Sequence, residues 1–99
     1  MARRSSLKAQ TGEVNVIGQR LRLARHRQEP PLTFARVSEL VRECTPYSIT
    51  ANALIKIEMG ARAVYDYEVA ALAIALDIAP GFLLGLTDDP WPPLPPRTR

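Results

Sequence analysis

"SITANALIKIEMGAR", residues 48–62, reads as a short helix with both ends written into it. Thr50 carries the side-chain oxygen that a helix start needs for its unpaired N–H groups. Leu54 and Ile57 lie three residues apart and so share one face. Gly60 suits the left-handed position just beyond a helix end, with Arg62 in the loop that follows. The opposite face holds Ala51, Asn52, Ile55 and Lys56, a set with few hydrogen-bonding side chains.

On either side the chain breaks into comparable pieces. Asn15 is placed to cap a helix running to about Gln28, with Ile17, Leu21 and Ala24 on one stripe. Glu29-Pro30-Pro31 ends it, since proline donates no hydrogen bond and disfavours helix in the residue before it. Thr33 is the next cap, and Phe34, Val37, Leu40, Val41 and Cys44 recur at helical spacing until Pro46 forces a break. Asp66 is expected to cap a fourth helix over 67–76. Ala79-Pro80 opens a fifth through Leu84, closed by Gly85. No stretch alternates polar and apolar residues long enough to make a strand. The expected fold class is all-α, five short helices over residues 15–87. A basic arm without periodicity (1–14) precedes them, and a segment dense in proline (88–99) follows, expected to be extended.

Ninety-nine residues suffice for one domain with one core. Hydrophobic residues make up 46% and charged residues 23%, proportions that exclude both a disordered and a membrane-embedded chain. The basic start is followed by polar residues instead of the apolar core of a signal peptide, which predicts a cytoplasmic protein. Cys44 is the single cysteine, so no internal disulfide or thiolate cluster forms, and a semi-buried thiol is expected. Residues 1–27 hold seven basic side chains against Glu13 alone, whereas the remainder holds six basic and nine acidic ones. That asymmetry suggests a polyanion partner.

Two helices joined through a turn, the second capped by Thr and closed by "IExG", raise the helix-turn-helix reading. The ordered set "IGQRLRLAR" (17–25), "LTFARVSELV" (32–41), "ITANALIKIEMGAR" (49–62), "VYDYEVAALAIALDI" (64–78) and "FLLGL" (82–86) resembles the phage-repressor-like (XRE/Cro) helix-turn-helix family. The resemblance implies a lambda-repressor-like five-helix domain that binds double-stranded DNA and lays its third helix in the major groove. It places Thr50, Ala51, Asn52, Ile55 and Lys56 toward the groove. Glu58 matches an acidic position that pairs with a first-helix arginine, here Arg25. The sequence departs from the family at Phe34, where a DNA-touching Gln is usual. A second departure is the turn, which is longer through "RECTPYS", as in a subset of the family that also carries "VYDYE". The third is the apolar pair Ala51 and Ile55.

Asn52 can pair bidentately with adenine, and Lys56 can reach guanine or a phosphate. Ile55 either rests against a thymine methyl or packs under the long turn. Phosphate partners are expected among Arg20, Arg22, Arg25, Arg27, Arg62 and the arm's Arg3, Arg4 and Lys8. N–H donors at the helix starts by Thr33 and Thr50 add to these. The arm either enters a groove or touches nothing.

The fourth helix, "YEVAALAIAL", is apolar nearly all round, which predicts a homodimer through the fourth and fifth helices, with Ile74, Ile78, Phe82 and Leu86 in contact. Alternatively the chain ends fold back over this patch, with Trp91 available to do so. "PPLPPR" matches a PxxPxR pattern but is read as composition. No metal spacing, nucleophile–base arrangement or phosphate loop points to an enzyme, a cofactor or a small-molecule ligand. The expected function is that of a dimeric DNA-binding repressor. The rival is an antirepressor or assembly module that uses the same fold to bind protein.

Overall fold

The computed structural model describes residues 12–91. Five helices follow in order: α1 (Gly18–Arg27), α2 (Phe34–Cys44), α3 (Ala51–Glu58), α4 (Asp66–Leu76) and α5 (Pro80–Leu83), with no strand among the described residues. No helix among them is long and apolar enough to cross a membrane.

The start of α2 is as the sequence predicts. The Thr33 hydroxyl accepts from the Arg36 N–H at 3.0 Å, a contact whose loss typically costs about 1 kcal/mol. α1 begins later than expected. Asn15 caps from a distance: its Oδ1 accepts from the N–H groups of Ile17 and Gly18, and the first helical turn starts only there. α4 begins one residue early, at Asp66, because the expected cap is not the one used. The buried carboxylate of Glu68 reaches back to the Tyr65 N–H at 3.0 Å, while Asp66 accepts only from its neighbour Tyr67.

Three helices end alike. Beyond α3, α4 and α5 stand Gly60, Asp77 and Gly85 with φ of 75°, 55° and 80°. In each, the next residue's N–H returns to the carbonyl five positions back: Ala61 to Lys56, Ile78 to Ala73 and Leu86 to Gly81. This left-handed closure satisfies carbonyls that the helix end would otherwise leave bare.

One core joins all five helices: Ile17, Leu21 and Ala24 from α1 and its approach, Val37 and Val41 from α2, and Leu54 and Ile57 from α3. Leu72, Leu76, Ile78, Phe82 and Leu83 complete it from α4 and α5. α1 crosses the end of α3 so closely that a β-carbon at Gly18 would lie 2.6 Å from the Ile57 carbonyl oxygen. Only glycine fits there.

The structure corrects two expectations about the C-terminal side. Ile78 and Phe82 belong to this core at 7% and 2% exposure, so neither is free to meet a second copy. The segment after residue 87 is not loose at its start. The Pro90 carbonyl accepts from the Ala79 N–H at 2.8 Å, Pro90 is buried, and Arg27 lies 5.6 Å from the Trp91 ring. The chain therefore folds back through Trp91, as the alternative reading had it. Residues 92–99 and the arm up to residue 11 lie outside the described residues. Cys44, expected to be semi-buried, is exposed.

Candidate functional site

α3 is only eight residues long and buries two, Leu54 and Ile57. So short a helix is not stable alone, and contacts at its two ends hold it. At the start, the Thr50 hydroxyl accepts from Ala53 N–H at 3.1 Å. The connector before it is stapled to α2: Ser38 donates its hydroxyl proton to the Ile49 carbonyl at 2.7 Å, and Ile49 is buried. Thr45 donates to Val41 at 2.7 Å and accepts from the Tyr47 N–H at 3.1 Å, which turns the chain at the end of α2. The lengthened turn is thus ordered.

At the far end, two side chains do the holding. Asn15, 8% exposed, donates through Nδ2 to the carbonyls of Ile57 (3.1 Å) and Arg62 (2.9 Å) while its Oδ1 serves α1. One amide therefore ties the beginning of α1 to the end of α3. Arg25 meets Glu58 in a two-pronged pair, Nε to Oε2 at 2.8 Å and Nη2 to Oε1 at 3.0 Å, with both side chains largely shielded. Its remaining nitrogen donates to the Leu32 carbonyl at 2.8 Å, and its guanidinium lies 4.1 Å from the Phe34 ring centre. Phe34 thus serves as the surface on which Arg25 stacks. The planar fork satisfies the buried carboxylate, which isolated would be costly to desolvate.

With its ends fixed, α3 turns Asn52, Ile55 and Lys56 outward, all exposed, and Ala51 half-buried beside them. Ile55 is 37% exposed, so the turn does not cover it. None of the four side chains makes a side-chain hydrogen bond or ion pair among the described residues.

Several expected phosphate partners are occupied elsewhere. Arg20 donates to the carbonyls of Phe82 (3.3 Å) and Thr87 (2.7 Å) and pairs with Asp88 at 2.8 Å, bracing the fold-back. Arg62 pairs with the buried Glu68, Nη1 to Oε1 and Nη2 to Oε2, each at 2.9 Å. That hydrogen-bonded pair, helped by the Tyr65 N–H, holds the Glu68 carboxyl below its usual range against the opposing effect of burial. Arg25 is committed as above. Arg22 is exposed on α1 and unpaired among the described residues.

Two features lie beyond what the motifs single out. Between Gly12 and Trp91 stand eight basic and ten acidic side chains, a formal −2, whereas residues 1–11 carry three basic groups and 92–99 two, with no acid. The positive charge of the chain is at its ends. Tyr47, Tyr67 and Tyr65 form a surface row with ring centres 5.0 and 5.5 Å apart, each at least 43% exposed. The paired tyrosines of "VYDYE" and the one in "TPYS" are the only sequence trace of that row.

No family model, curated protein or solved structure matches the chain.

Proposed function

We propose that this protein is a DNA-binding regulator of the lambda-repressor-like helix-turn-helix type, with α2 and α3 as the motif and α3 as the element that enters the major groove. The observation that carries the reading is the mounting of α3. Its two ends are closed by Thr50, Asn15, Glu58 and Gly60, and Ala51, Asn52, Ile55 and Lys56 are left outward and uncommitted. A helix that reads base edges needs a fixed pose and free side chains. Thr33 and Thr50 open helices whose first N–H groups suit phosphates. Arg22 and Lys56 are the cations available from the expected set; Arg20, Arg25 and Arg62 serve the fold. The chemistry is occlusion of a DNA site by binding, with no bond made or broken.

The proposal includes a homodimer, for which Ile74 (58% exposed) and Leu86 (79%) remain as contacts. They flank a shallow groove of about 490 Å³ lined by Ala70, Ala73, Ile74, Asp77, Ile78 and Pro80. A two-fold pair presents two α3 helices to half-sites one DNA turn apart. The second reading, a protein-binding module, draws on the exposed tyrosine row and the −2 balance of the folded part.

Titration of random and selected duplexes at two salt concentrations tests the proposal. Asn52→Ala should weaken binding of the selected sequence by ~1–3 kcal/mol and leave random duplex nearly unaffected. Lys56→Ala should weaken both. Absence of any DNA binding at low salt refutes the reading and leaves the protein-binding one.

A further inference from the structure

The point at which the chain enters the folded domain is beside the end of α3. Val14 donates its N–H to the Gly60 carbonyl at 3.0 Å, and the Glu13 side chain packs where a Gly60 β-carbon would stand. Asn15 follows with its bonds to Ile57 and Arg62. Three consecutive residues thus pin the approach to the C-terminal end of the one helix whose outward side chains are free. Residues 1–11, upstream of this anchor, carry Arg3, Arg4 and Lys8 and no acidic group, while the folded part carries a net −2. A folded part of that balance does not attract a polyanion at long range.

From this we infer that residues 1–11 are a second DNA-contacting element. Its basic groups neutralise backbone phosphates on the flank where the end of α3 leaves the groove, and they supply most of the electrostatic affinity. The inference rests on the DNA-binding reading above. Geometry permits it. Lys8 stands four residues from Gly12, a reach of ~13–14 Å for extended chain, enough to cross a major-groove edge ~12 Å wide. Arg3 stands nine residues out, ~30–32 Å, enough to follow the backbone past the groove. Because phosphates carry no sequence information directly, the arm sets affinity and salt dependence while α3 sets preference.

The test compares the full chain with the triple variant Arg3→Ala/Arg4→Ala/Lys8→Ala on a selected and a random duplex between ~50 and ~200 mM salt. The expected result is a plot of log affinity against log salt shallower by up to ~2.7, with the ratio of the two affinities unchanged. An unchanged slope in a variant whose parent binds DNA overturns the inference and leaves the reading of α3 intact. A parent that binds no DNA at low salt overturns both. A second measurement checks the anchor. A cleavage reagent attached at Ser6→Cys in a Cys44→Ser background should cut phosphates on one flank of each half-site. Cuts spread evenly along the duplex overturn the placement.

Discussion

Of the eight residues of α3 two are buried, whereas α4 buries six of eleven, a glutamate among them. The two helices follow one another in the chain and share a core, yet they are secured by different means. α4 is gripped along its sides by Leu72, Leu76 and its small alanines, as befits a helix apolar nearly all round. α3 is gripped at its ends, by a hydroxyl cap, an amide clip, an ion pair and a glycine closure. An element held by its sides has little surface left for anything else. An element held by its ends keeps a face to use.

If that contrast is right, the most damaging single change to α3 lies outside it. Arg25→Ala leaves the Glu58 carboxylate shielded without a partner, and should cost ~3–5 kcal/mol in urea unfolding at neutral pH. The loss should be concentrated in faster amide exchange over residues 51–58. A loss under ~1 kcal/mol, within the range of exposed pairs, would show that Leu54 and Ile57 hold α3 unaided.

A smaller effect is expected at the other helix. Glu68→Gln should cost ~1–3 kcal/mol at neutral pH, since a charged pair becomes a neutral contact. Its acid dependence gives the sharper test. The Glu68 carboxyl is held below its ordinary range, so its contribution is complete above the unfolded value of about 4.3 and is lost as pH falls through the lower folded value. The gap between parent and variant should therefore close in acid. A gap that stays constant from neutral to strongly acidic pH contradicts the depressed carboxyl.

The smallest stability change is expected where α4 meets solvent. Ile74→Ser with Leu86→Ser should alter the unfolding free energy of the monomer by no more than ~0.5 kcal/mol per site. The same pair should shift light scattering from a two-chain to a one-chain mass. A parent already monomeric at high micromolar concentration removes the homodimer.

The helix count and most ends were legible because caps and stops are local chemistry. Thr33, Thr50, Gly60 and Gly85 act within four residues of their partners, and periodicity alone finds Leu54 and Ile57. What escaped depends on distant partners. Nothing in the order of residues says that Asn15 will find Ile57, 42 positions on, or that Arg20 will turn to Thr87, 67 positions on. Arginine is ambiguous in sequence because the same fork serves a phosphate or a buried carbonyl. Arg20 and Arg62 were therefore assigned outward and lie inward. Phe82 and Ile78 were misplaced for the converse reason. An apolar all-round helix signals surplus surface, but the sequence does not reveal that α5 and the Pro90 fold-back absorb most of it.

The end-held mounting of α3 also bears on how such a protein changes over generations. Ala51, Asn52, Ile55 and Lys56 take no part in closing the helix, so exchanges at these four positions carry only the small costs of surface substitutions. Fold and preference are inherited on separate residues. A lineage can drift from one target to another in single steps, each of them folded, without first rebuilding the frame.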